Sequence, residues 1–118
     1  MRTVYFIGID ISKAKLDYTL RREGEFIKHS TIDNSPSAIR LWFKEMKFAY
    51  KAGGQNTIFC LEHTGPYGDV VSRTLDKLNA RVWLESPIQI KRSLGLQRGK
   101  SDKIDSRRIA DYAFHFQN

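Results

Sequence analysis

The sequence predicts an α/β domain on a mixed five-stranded sheet, three antiparallel strands followed by two parallel ones, flanked by helices. Three observations carry this. Three strand-like runs follow one another with short connections over residues 3–32. Two more, 57–62 and 81–84, each come after a helical stretch. The apolar spacing changes accordingly, from strand-like runs early to helical recurrence between the later strands.

The first run, TVYFIGI at 3–9, is apolar on both faces, as a central strand must be. In KLDYTLR, 15–21, Leu16, Tyr18 and Leu20 share one face, which leaves Asp17 on the other, read here as exposed. Gly24 supplies a turn into a less regular third run, 25–32, and the short connections make the three an antiparallel meander. Ser35 then caps a helix with Pro36 in its first position, and Ile39, Trp42, Phe43, Met46 and Ala49 or Tyr50 recur at helical spacing until Lys51-Ala52-Gly53-Gly54. TIFCLE, 57–62, is a fourth strand, apolar until Glu62. A turn at Thr64-Gly65-Pro66 opens a helix carrying Val70, Val71, Leu75 and Leu78, closed by Asn79. RVWL, 81–84, is the fifth strand, and Ser86-Pro87 begins a helical segment through Leu94. A basic loop with Gly95 and Gly99 leads into a last helix from Asp102, with Ile104 or Ile109, Ala113 and Phe116 as its core stripe.

The 118 residues fit one domain, 1–118, and a hydrophobic content of 41% sets the chain apart from disordered sequences. The net charge of +7 points to a polyanionic partner, nucleic acid or an anionic membrane surface, with plain solubility as the bland reading. The lone cysteine, Cys60, excludes an internal disulfide and, among Ile58, Phe59 and Leu61, reads as a buried structural thiol. There is no signal peptide and no run of the ~18 apolar residues that a membrane helix needs, so a soluble cytoplasmic protein is expected. The final FHFQN carries no helix stop, which suggests a longer protein continuing beyond it.

The chemistry lies in four acids. Asp10 ends the first strand and Glu62 the fourth, and in sheets with crossover helices functional groups gather at the carboxyl ends of strands. If those strands are adjacent and parallel, the two carboxylates meet. A carboxylate there needs a cation or a structural partner. Asp102 and Asp105, at i and i+3 on the last helix, share one face. Asp102 equally suits an N-cap, and Asp105 an exposed acid balancing Lys103 or Arg108. Together the four supply the oxygen donors that two Mg²⁺ ions require, and such a pair clamps the attacking and leaving oxygens of a phosphodiester. Around them stand Lys91, Arg92, Arg98, Lys100, Lys103, Arg107 and Arg108, seven of the chain's 20 basic residues, placed to neutralise flanking phosphates. A solvated helix face is the bland alternative. Ser12 and Lys13 touch phosphate or simply end a strand, and Gly65 and Tyr67 read as a structural turn. His29, His63 and His115 are scattered without zinc spacing, and no phosphate-binding P-loop occurs.

GIDISK with LDYTL, then LEHTGPYG, ESPIQIKR and GKSDKIDSRRIADYA, resembles the N-terminal domain of the DEDD insertion-sequence transposases. That family includes the Piv-type DNA invertases and the bridge-RNA-guided recombinases, and the resemblance spans residues 5–113. It implies a RuvC-like domain of RNase H fold. It carries the family's four acids onto Asp10, Glu62, Asp102 and Asp105, as catalytic residues coordinating Mg²⁺ or Mn²⁺ for DNA strand exchange. It also implies a further, serine-bearing domain that this chain lacks, a DNA target in a bacterial cytoplasm, a structured non-coding guide RNA and a homo-oligomer. Ser106 stands where the family often has alanine, a change a helix should tolerate. Three other readings remain at this point. GIDISK also resembles the first phosphate loop of actin-like and sugar-kinase ATPases. A Holliday-junction nuclease would share the fold and the acids. A non-catalytic nucleic-acid-binding module would use the acids only structurally.

Overall fold

A computed structural model describes residues 2–62, 65–93 and 105–117. Its sheet has the order β3-β2-β1-β4-β5. β1 (Tyr5–Ile11) pairs antiparallel with β2 (Lys15–Arg22), which pairs antiparallel with β3 (Glu25–Asp33). On its other side β1 pairs parallel with β4 (Thr57–Glu62), and β4 parallel with β5 (Arg81–Glu85). The meander and the two later parallel strands are thus as the sequence predicts. β1 is central, which is why it is apolar on both faces.

β1 is longer at its carboxyl end than the apolar run alone suggests. The ladder with β2 continues through Asp10↔Asp17 to Ile11↔Leu16, so Asp10 lies within the strand rather than beyond it. The hairpin that permits this closes on Ser12, whose Oγ donates to Lys15 O at 2.9 Å and accepts from Lys15 N–H at 3.2 Å. Ser12 is therefore a turn residue.

Two cores sandwich the sheet. Ile7, Ile9, Leu16, Tyr18, Leu20, Phe59 and Leu61 face α1 (Pro36–Tyr50) and α2 (Gly68–Lys77), which contribute Ile39, Trp42, Phe43, Met46, Val71 and Leu75. Ser35 caps α1 through a bond from Ala38 N–H at 3.3 Å, and Lys51 closes it at φ 60°, a left-handed position taken here by lysine rather than Gly53. Phe6, Ile58 and Cys60 face the other way, onto Ile90 of α3 (Pro87–Ser93) and Ile109, Tyr112 and Ala113 of α4 (Ser106–Phe116). Each fully buried Ile, Leu or Phe side chain among these contributes roughly 1.5–3 kcal/mol. Cys60 is wholly buried, and desolvation pushes its thiol up to about 12, so it is structural as expected.

The last helix differs from expectation. It begins at Ser106, and Asp105 before it has an extended backbone (φ −107°, ψ 178°). The helix thus starts after Asp105 rather than at Asp102, which lies outside the described residues. The physical reason is the cap: Asp105 Oδ1 accepts from Arg108 N–H at 3.0 Å, satisfying a donor of the first turn that only a non-helical residue can reach. The expected core stripe is present at Ile109 and Ala113, whereas Phe116 is partly exposed and stacks on Tyr112. Among the described residues no helix is long and apolar enough to cross a membrane.

Candidate catalytic acids at the strand ends

The face of the sheet under α4 carries the site. Alternation along β1 puts Phe6, Gly8 and Asp10 on that face, and along β4 it puts Ile58, Cys60 and Glu62 there. The parallel register matches Gly8 with Cys60 and Ile9 with Leu61. Asp10 and Glu62 are the next positions, so they stand side by side at the carboxyl ends of the two central strands. Their charges interact: Glu62 is pushed above its ordinary value first by burial and second by Asp10, with Lys91 pulling it back down.

The row of acids is longer than the sequence reading gave. Asp17 lies opposite Asp10 on β2, and Glu85 opposite Glu62 on β5. Asp17, read from sequence as exposed, is half-buried and bonded: His29 Nε2 approaches its Oδ1 at 2.5 Å and Ser106 Oγ donates to the same oxygen at 3.2 Å. The reason is α4, which covers the face of β2 opposite Leu16 and Tyr18. Glu85 accepts from Tyr112 Oη at 2.7 Å and from Ser86 N–H at 3.1 Å. Burial and that bond push the Tyr112 hydroxyl up to about 12, so it remains a donor. Glu85 carried the same signal as Glu62, an acid closing an apolar run.

α4 reaches this end of the sheet because of Gly8. A Cβ there would lie 2.3 Å from both Ala110 N and Ser106 O, so only glycine lets the helix backbone cross β1 so closely. The crossing seats Ser106, wholly buried, against Thr19 Oγ1 at 2.8 Å, while the Asp105 carboxylate just before it is engaged by the Arg108 N–H and is not gathered with Asp10 and Glu62 into a cluster of three. Asp102 lies outside the described residues, as do Arg98, Lys100 and Lys103. Of the remaining basic residues, Lys91 acts on Glu62, Arg92 is exposed on α3, Arg108 N–H meets Asp105, and Arg107 lies over the Phe26 ring. No group of three or more metal-ligating side chains is found among the described residues. The donor chemistry of the described pair nonetheless suits a divalent cation. Two carboxylates close enough for one to raise the other are relieved by a hard cation with oxygen preference. Gly65 takes φ +72° in the turn after β4, as a structural turn requires. A cavity of about 460 Å³ bordered by Lys47, Lys51 and Gln55 lies at the amino end of β4, away from the acids.

Comparisons with known proteins bear on the family and the fold. A family model for IS110-type DEDD transposases, described as Transposase, matches residues 7–118. No curated protein sequence matches. Among solved structures the chain is similar to Thermus thermophilus RuvC, with TM-score 0.60 and 14% identity over 92% of this chain and 93% of that one. It is equally similar in fold, TM-score 0.60, to a Bacteroides thetaiotaomicron protein with an actin-like ATPase fold and unknown function. There the identity is 10%, and the alignment covers 82% of this chain but only 39% of that protein. The fold is thus RNase H-like and RuvC-like, as the order of strands and helices predicts.

Proposed function

Since this chain belongs to the DEDD transposase family, we propose that it is the metal-dependent catalytic half of a DNA transposase, acting on phosphodiesters during insertion-sequence transposition. The supporting observation is the pairing of Asp10 with Glu62 at neighbouring strand ends, close enough for one charge to raise the other. In this reading Asp10, Glu62, Asp102 and Asp105 are the residues that would hold Mg²⁺ or Mn²⁺. When bound, such ions supply Lewis acidity at the phosphodiester. The protein's own part is to set Asp10 and Glu62 side by side on a rigid sheet, to fix Asp105 by its cap, and to hold Asp17 and Glu85 in hydrogen bonds on either side. Lys91, Arg92, Arg98, Lys100, Lys103, Arg107 and Arg108 serve as the DNA-facing cations. Residues 1–118 are then the RuvC-like domain of a recombinase completed by a serine-bearing domain, working as a homo-oligomer in a bacterial cytoplasm with a structured guide RNA.

Calorimetric titration with Mn²⁺ tests the metal assignment. Binding by the wild type that is lost in both Asp10→Asn and Glu62→Gln supports it. Absence of binding, or binding indifferent to both substitutions, overturns it.

A further inference from the structure

A second surface feature lies beside α4, on the side of the β2–β3 hairpin. Arg107 of α4 extends over the ring of Phe26, its Cζ 4.3 Å from the ring centroid. Both side chains are exposed, Phe26 at 46%. They line a cleft of about 210 Å³ together with Thr19, Arg21, Gly24 and Asp111. A register shift at Leu20/Arg21 sets Phe26 opposite Arg21 and His29 opposite Thr19, so both β3 residues face the α4 side. The cleft floor is fixed: Arg21 pairs with Asp111 and lies 4.3 Å from the Phe114 centroid. Above the hairpin turn, a Cβ at Gly24 would meet nothing within 4 Å.

As a mere staple between hairpin and helix, the pair would bury the ring. Instead nearly half of it faces solvent, on an edge strand, beside a guanidinium plane. Those are the two side-chain surfaces on which an unpaired base stacks. The Asp111 carboxylate in the wall is taken up by Arg21, which leaves the ring and the Arg107 plane as the open surfaces of the cleft, and these suit a base. The cleft volume is below the ~300 Å³ of pockets for drug-sized ligands, as a single planar heterocycle requires. Along β2, Arg21 is four residues from Asp17, roughly 14 Å, and Asp17 faces Asp10 across the ladder. A strand with a phosphate at the acids thus has the cleft within reach.

We propose that the Phe26–Arg107 cleft is a stacking site for one unpaired base of a single-stranded nucleic acid, a reading that rests on the nucleic-acid function proposed above. The test is binding of a short single-stranded oligonucleotide carrying a fluorescent purine analogue, in chelator so that metal plays no part. An abasic oligomer of the same length serves as reference. Wild type should quench the analogue and prefer the base-bearing oligomer. Phe26→Leu, which keeps an apolar side chain at a half-exposed position, should weaken that binding roughly 5- to 100-fold and leave abasic binding unchanged. Arg107→Lys, which keeps the charge but removes the plane, should also lose the preference. Running the oligomer as DNA and as RNA shows which backbone supplies the base, and base dependence with either supports the cleft. Equal affinity of wild type for the two oligomers, or unchanged quenching in both variants, overturns the cleft and leaves the phosphate-binding reading intact. No binding of any oligomer overturns both.

Discussion

Ser106 Oγ donates to Asp17 Oδ1 at 3.2 Å, which ties the first residue of α4 to the strand position opposite Asp10. With its proton committed to Asp17, Ser106 accepts from Thr19 Oγ1 at 2.8 Å, and both hydroxyl residues are buried. Helix, strand and acid row are thereby linked through one small polar side chain.

Ser106→Ala is therefore costlier than a helical position alone suggests. It leaves the Thr19 hydroxyl buried without that partner, which should destabilise by roughly 1–3 kcal/mol in denaturant unfolding. Ser106→Ala combined with Thr19→Val should recover most of the loss, because removing both partners is far cheaper than orphaning one.

Gly8→Ala probes the seat of the same helix. The added methyl would meet backbone at 2.3 Å, and backbone cannot rotate away as a side chain can. The cost should exceed the ~1–3 kcal/mol usual for overpacking. Hydrogen exchange should show lost protection in α4 while β2 and β3 keep theirs. Uniform protection across all elements would contradict the close crossing.

Glu62 makes stability fall with rising pH. Its folded value is raised, so the native state holds the proton more tightly than the unfolded chain does. The resulting stabilisation is present below the ordinary value of 4.5 and is lost as pH rises through the raised one. Glu62→Gln, which cannot ionise, should melt at higher temperature than wild type at neutral pH, and the gap should close toward pH 4. Added Mn²⁺ should raise the wild-type melting temperature and not that of the variant.

Asp105 has two separable roles. Its carboxylate caps α4 through Arg108 N–H, and asparagine caps a helix about as well as aspartate. Asp105→Asn should leave stability within a few tenths of a kcal/mol while weakening metal binding. Asp105→Ala should cost roughly 0.5–2 kcal/mol as well. Equal destabilisation by both substitutions would mean that the charge, not the cap, stabilises the helix start.

These cases show which features are legible in sequence. β1 and β4 are apolar on both faces, and Asp10 and Glu62 each close one of them, so the two acids meet once the strands are adjacent and parallel, as they are. The meander and the Ser35-Pro36 helix start were equally plain, because each rests on local chemistry. Gly8 was visible only as an interruption, since its meaning depends on a helix arriving about a hundred residues later. Asp17 read as exposed for the same reason: alternation gives the face of a strand and not what covers it. Asp105 passed for a helical residue because N-cap and first-turn positions accept the same acids, and geometry alone divides them.

Salt dependence tests the cationic rim. Each phosphate contact contributes about 0.7–0.9 to the slope of log affinity against log salt. Lys91→Gln and Arg92→Gln, at exposed positions at the end of α3, should each lower the slope by about that amount and weaken different sequences alike. Lys91 should do more, because its charge is what draws Glu62 back toward its ordinary range. Its removal should push Glu62 further up, so that Mn²⁺ binding sets in at higher pH in Lys91→Gln than in Arg92→Gln. Identical pH profiles in the two variants, with slopes equally reduced, would assign Lys91 to phosphate alone and detach it from the acid pair.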